Sequence, residues 1–255
     1  MRDVIPTGAT RESEFLFSRM AERTLRATRA ASGRRVLDVA AGLGQDASAL
    51  GARGAWAVAA EPSARMSALA KLVQEKLPGP PPIRVRAWSD ALPFATHRFD
   101  AVFCKGSLDH FDRPRAAIAE MARVAKPDGR VVLAVANFES AACRAAQRLD
   151  GLRERWLGRT LARGRRHYDV PHDHFTRYEL PLMREQAGES LELEVVEGVS
   201  LAWGFPGWAR AVERLPAPVA RATLQALDAL ARRLPGLADV VILAGRPRRS
   251  ATSSA

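Results

Sequence analysis

Arg35-Val36-Leu37-Asp38-Val39-Ala40-Ala41-Gly42-Leu43-Gly44-Gln45-Asp46 is the stretch on which the reading of this chain turns. Val36, Leu37 and Val39 read as a buried strand with an acid set into it. Gly42 and Gly44 then permit a sharp turn and a close approach of backbone to a ligand. The helix expected next offers free backbone N–H groups at its start. Strand, tight turn and helix together make a nucleotide-type site.

Two kinds of ligand compete for this turn. Gly42-x-Gly44-x-x-Ala47 satisfies the dinucleotide fingerprint, and Glu61 follows at about the spacing of a ribose-binding acid. Asp38 tilts the choice, because a carboxylate there repels a pyrophosphate and favours a positively charged ligand such as the sulfonium and ammonium of S-adenosylmethionine. The stretch resembles motif I of the class I S-adenosylmethionine-dependent methyltransferases, with Ala40 standing where the first Gly of that motif usually sits. The resemblance implies S-adenosylmethionine as cofactor, held around Asp38, Ala40, Gly42 and Gly44.

Composition sets the bounds. A chain of 255 residues accommodates one α/β domain with elaborations. The formal charge of +11 comes almost entirely from Arg. Because that enrichment runs through the whole chain, and aromatic residues are not interleaved with the basic runs, nucleic acid is not the favoured partner. Cys104 and Cys143 have neither paired nor metal-like spacing and read as two buried thiols in a reducing compartment. No signal-peptide run or membrane-length apolar stretch is visible, so a cytoplasmic protein is expected. The sequence carries no signal for oligomeric state.

Outward from motif I, Phe17 to Thr28 has helical periodicity, and Ala55–Ala60 reads as the second strand, ending at Glu61. Ligands of doubly wound sheets bind beyond the carboxyl ends of the strands, where Glu61 can accept from both ribose hydroxyls. Glu61-Pro62-Ser63 matches the second motif of the family. Ile83–Trp88 is the third strand, leading to Ser89-Asp90-Ala91-Leu92-Pro93-Phe94. That segment resembles the family's adenine loop, with Asp90 a candidate acceptor and Trp88 or Leu92 a candidate ring cover. Phe99–Cys104 is a central fourth strand and delivers Lys105-Gly106-Ser107 to the mouth of the site. Enzymes that methylate base amino groups resemble one another in an Asn or Asp, Pro, Pro, aromatic run here. Its absence favours small-molecule acceptors.

Asp112 is the expected N-cap of the next helix, Lys126–Gly129 a turn, and Arg130–Val135 the fifth strand. The resemblance covers residues 34–138 and is nearest to the type 11 methyltransferases that include quinone-biosynthesis enzymes. Beyond it, Arg residues crowd 144–166, which reads either as a solvated helix face or as a contact with an anionic substrate or membrane surface. Thr176-x-x-Glu179 has the form of a capping box, Leu191–Val199 reads as strand six and Leu237–Ala244 as strand seven. Residues 200–234, with Trp203, Phe205 and Trp208, are an insertion expected to overhang the site. The tail 246–255 is expected to be disordered.

A hydroxyl acceptor needs a base, and His is best tuned for that near neutral pH. His110, after the fourth strand, and His174, in Pro171-His172-Asp173-His174-Phe175, are the catalytic candidates. No metal is expected, since His-x-His lacks a clear third ligand.

These observations predict a Rossmann-like, doubly wound, mostly parallel seven-stranded sheet, for which the resemblance implies the order 3-2-1-4-5-7-6. It would form a single methyltransferase domain over 1–245, with a cofactor core at 34–138 and substrate-side insertions at 139–175 and 200–234. Asp38, Ala40, Gly42, Gly44, Glu61, Ser89, Asp90 and Lys105 are the expected cofactor residues. The predicted reaction is methyl transfer to a small, hydrophobic molecule, with oxygen favoured as acceptor. An NAD(P)-dependent oxidoreductase and a non-catalytic cofactor- or RNA-binding scaffold are the alternatives. Neither Tyr168 nor Tyr178 is followed by the Lys of a Tyr-x-x-x-Lys pair.

Overall fold

The computed structural model describes residues 10–158, 168, 169, 172 and 174–248. Seven strands, β1 (Arg35–Val39), β2 (Trp56–Ala60), β3 (Ile83–Val85), β4 (Phe99–Lys105), β5 (Ala125–Ala136), β6 (Leu191–Val199) and β7 (Val240–Pro247), form one sheet. Its order is β3-β2-β1-β4-β5-β7-β6, as the family resemblance implies.

The β1–β2, β1–β4, β2–β3 and β4–β5 pairs are parallel, with Asp38 level with Ala59 on one side and Phe103 on the other. Val36, Leu37 and Val39 of β1 and Ala101 to Cys104 of β4 are buried, as strands covered on both faces must be. β7 runs the other way. The Asp239 carbonyl, at its start, accepts from Asn137 just past β5, and Arg248, at its end, donates to the Ser190 carbonyl just before β6.

Helices α1 (Arg11–Ala27), α2 (Gln45–Gly51), α3 (Ala64–Val73), α4 (Pro114–Val124), α5 (Ala141–Leu157), α6 (Leu180–Ser190), α7 (Trp208–Arg214) and α8 (Ala217–Arg233) complete the described chain. Several local expectations are corrected. α4 begins on Arg113 with no side-chain cap, so Asp112 is not its N-cap; Pro114 sets the first turn instead. Lys126–Gly129 lies inside β5 as an excursion, since Phe99 pairs with Ala125 while Ala101 pairs with Arg130. β3 is shorter than expected, and β7 reaches Pro247, so Arg246 and Pro247 are ordered strand and not part of a disordered tail.

The chain divides into two compact units. One holds Ala21–Val135, Pro181–Val196 and the stretch from Ile242; the other holds the chain up to Met20, Ala136–Leu180 and Glu197–Val241. In the second unit the insertion closes on the start of α1. The Trp203 indole N–H donates to Ser13 Oγ at 3.2 Å and its ring meets Phe17 edge-on at 6.2 Å. Trp208 packs with Phe15 against Val212, Ala220 and Leu224. Arg19 pairs with the buried Asp228 at 3.0 Å. Trp203 and Trp208 are therefore spent on packing against α1.

Candidate active site

The turn after β1 takes its shape from three left-handed residues in a short space: Ala40 (φ 57°), Gly42 (φ 54°) and Gly44 (φ 77°). Gly44 is the residue on which α2 starts, and a Cβ there would stand 2.8 Å from Nη2 of Arg84. Glycine is thus favoured at 44 by conformation, while the nearest obstacle to a Cβ is the movable tip of Arg84.

Two carboxylates organise this turn. Asp38, 4% exposed at the end of β1, accepts from the backbone N–H of Ala47 in the first turn of α2. Glu61, at the end of β2, spans the gap between strands: its Oε2 accepts from the Gly42 N–H at 2.8 Å and its Oε1 from the Ser63 N–H at 2.9 Å. Beside them, Lys105 from the end of β4 pairs with Asp46 of α2 at 2.7 Å. Arg84 of β3 donates to the Leu43 carbonyl at 2.6 Å and to Oε1 of Gln74 at 3.3 Å, which ties the glycine turn to β3, the next strand but one from β1.

Three acids, Asp38, Asp46 and Glu61, are thus set against two cations, Lys105 and Arg84, at the carboxyl ends of the strands. Burial, reinforced by Asp46, pushes the Asp38 carboxyl well above its usual range, and Lys105 only partly offsets this. A carboxylate so placed is relieved by a ligand cation.

The adenine-loop candidates separate. Asp90 is engaged by Arg113 at 2.5 Å, and Ser89 is half-buried beside it. Leu92 is a core residue, and its N–H donates to Glu120 at 3.0 Å. Trp88, 70% exposed, is the side chain with an open ring face. Ala40 acts through backbone shape alone.

His110 lies in a single 3-10 turn, Leu108–His110, four residues beyond the glycine (Gly106, φ 68°) that bends the chain out of β4. It belongs to the same unit as Asp38 and Lys105. His174 belongs to the other unit, where its ring packs edge-on against Phe138 at 5.9 Å. Phe138 is clamped in turn by Arg177, whose guanidinium lies 5.7 Å from the ring centroid and donates to Glu139 at 2.7 Å. His172 is exposed, and Asp173 lies outside the described residues. Asp46 and Arg84 are members of the site that local sequence reading missed. Asp46 looks like an ordinary first-turn acid, and the signal for Arg84 is only its position on a strand beside the glycine turn.

Residues 37–133 match the family described as a methyltransferase domain. This segment is a methyltransferase domain of the class I, S-adenosylmethionine-dependent type. The dinucleotide reading of its glycine turn is set aside, and the cofactor that goes with the domain is S-adenosylmethionine. The chain is similar to a demethylmenaquinone methyltransferase of Clavibacter sepedonicus, 39% identical over 111 residues, or 43% of this chain and 44% of that protein. It is 36% identical over 132 residues to the protein of the same name from Renibacterium salmoninarum, covering 52% of this chain and 51% of the other. The chain therefore spans about half the length of the curated relatives it matches. In fold it is similar to the putative methyltransferase solved in complex with the Trm112 activator of Haloferax volcanii. That likeness has a TM-score of 0.62 and 17% identity, covering 98% of each chain.

Proposed function

We propose that this protein transfers the methyl group of S-adenosylmethionine to a small, hydrophobic, hydroxylated ring of the quinol type. The supporting observation is the charge at the strand ends. Three carboxylates facing two cations complement a donor whose sulfonium and ammonium outweigh its carboxylate by one positive charge. The methyl carbon of a sulfonium is already electrophilic, so the protein's part is to align donor and acceptor and exclude water. In this reading Glu61 holds the ribose hydroxyls, Asp38 faces the cationic end of the donor, and Trp88 covers the adenine.

The acceptor in the names of the relatives, demethylmenaquinone, moves the reading from oxygen toward a ring carbon. The two outcomes need the same help from the protein. Removing the proton of a ring hydroxyl makes both that oxygen and the adjacent ring carbon nucleophilic. His110 is the first candidate for this base, because it follows the strand whose end carries Lys105. His174, packed on Phe138, is the second.

The test is calorimetry with S-adenosylmethionine and with NADH, followed by transfer of an isotopically labelled methyl group to hydroxylated naphthoquinol and phenol acceptors. Binding of the methyl donor with label retained on a ring carbon is the expected result. Label recovered as a methyl ether would return the acceptor atom to oxygen. Tight NADH binding without methyl transfer would overturn the proposal.

A further inference from the structure

Helix α5 presents a face that no described part of the fold covers. Leu149, Leu152 and Trp156 follow one another at i, i+3 and i+7, which places them in one stripe along the helix. Leu152 is 62% exposed and Trp156 93%, although apolar side chains of this size are ordinarily turned inward. The helix has its own buried side, on Ala142, Cys143 and Ala146, so the stripe is a second apolar face beside the one that holds α5 to the protein.

Charge frames that stripe. At the helical repeat, Arg148 and Arg155 fall along one border and Arg153 along the other, all three exposed. The acids Asp150 and Glu154 fall on a different side of the helix. Asp150 is engaged there by the Tyr168 hydroxyl at 2.6 Å and, at 3.9 Å, by Arg153, whose side chain stays 59% exposed. A short apolar stripe with an exposed indole, bordered on both flanks by Arg, has the polarity of a helix lying in a lipid headgroup layer: Leu and Trp sink toward the acyl boundary while the guanidiniums stay with the phosphates. A protein partner of matching shape would have to supply an apolar pocket and acids on both of its sides. An anionic bilayer supplies both without any specific fit.

We infer that the Leu149–Leu152–Trp156 face of α5, with Arg148, Arg153 and Arg155, docks the protein on the surface of membranes that contain anionic lipid. The contact is peripheral, and none of the described helices is long and apolar enough to cross a membrane. It would bring the protein to a phase in which hydrophobic acceptors are concentrated, but docking does not depend on which acceptor is methylated.

The experiment is co-sedimentation of the full chain with vesicles of phosphatidylglycerol and phosphatidylcholine in equal parts, and with phosphatidylcholine alone, at low and high salt. Binding to the anionic vesicles that salt weakens is expected. It should fall by about tenfold or more in Leu152→Glu/Trp156→Glu, with a smaller loss in Arg148→Gln/Arg153→Gln/Arg155→Gln. Melting temperature and affinity for S-adenosylmethionine, both independent of lipid, show that the variants are folded and should not change. The inference is overturned if the natural chain stays in the supernatant. Equal binding by the Glu variant also overturns it. So does a change of oligomeric state in that variant without vesicle binding, which would make the stripe an interface between copies.

Discussion

Glu61 and Gly42 are joined by a 2.8 Å hydrogen bond from the glycine N–H to the carboxylate, while the second carboxylate oxygen holds the Ser63 N–H. The residue expected to bind the ribose is therefore also a brace between the glycine turn and the start of α3. Each oxygen of an ionised carboxylate has a further lone-pair site, so both tasks are compatible.

That double role changes what a substitution reports. Glu61→Ala should weaken S-adenosylmethionine binding by more than tenfold, and it should also cost about 1–2 kcal/mol of stability by stranding two backbone N–H groups. Glu61→Gln, which keeps one acceptor oxygen and the side-chain volume, should retain most of the stability and still lose affinity. Paired melting and calorimetry measurements separate the two roles. A Gln variant with full affinity would remove the ribose role.

Asp38 gives a proton-linkage prediction. Burial and Asp46 raise its carboxyl, and a cationic ligand stabilises the ionised form and lowers it. Binding of S-adenosylmethionine should therefore release a proton, and affinity should rise with pH until that raised value is passed. Calorimetry in buffers of different ionisation enthalpy measures that proton directly. Asp38→Asn should discriminate against S-adenosylmethionine relative to the uncharged-sulfur product by about tenfold, since only the donor carries the sulfonium.

Ala40 sits at φ 57° in the position where motif I usually has glycine. A left-handed conformation costs a residue with a Cβ on the order of 1 kcal/mol, partly offset because alanine has less freedom to lose on folding. Ala40→Gly should raise stability by up to about 1 kcal/mol without lowering cofactor affinity, as read by thermal unfolding with and without ligand.

Two acids of the second unit predict a pH dependence of stability. Burial raises Asp239 to about 7, against the Trp203 N–H that it accepts, and raises Glu12 to about 7, against the Gly204 N–H. Ser200 and Ser140 also hold the Asp239 carboxyl, while Oε2 of Glu12 is buried without a hydrogen-bond partner among the described residues. Both groups hold a proton more tightly folded than unfolded, so the stability they contribute is present below about pH 4 and is lost as pH rises toward 7. Asp239→Asn and Glu12→Gln should each raise the melting temperature at pH 8, and the gain should shrink at pH 5. Thermal unfolding across that range checks it, and a gain that does not vary with pH would mean that these carboxyls do not titrate on folding.

The core of the domain was legible because its signals are local. Val36-Leu37-Asp38-Val39 carries its burial in its composition, Gly42 and Gly44 mark backbone free to turn, and Glu61 closes a strand at a distance set by one helix and one strand. The same local rules misplaced the cap of α4 and the start of β5. Whether Lys126–Gly129 leaves the ladder is decided by what the neighbouring strand can pair with, and α4 opens one residue later than expected, with Pro114 in its first turn.

By itself, the sequence determined the strand–turn–helix plan and the acids at the carboxyl ends of the strands, because hydrophobic periodicity and glycine spacing act over a few residues; the order of the sheet followed from the resemblance to the methyltransferase family. Tertiary structure alone decided that Arg84 reaches the Leu43 carbonyl, that Lys105 spends its charge on Asp46, and that Trp203 and Trp208 pack on α1. Those pairings join residues far apart in the chain, and their energies depend on burial and distance, which exist only once the chain has folded.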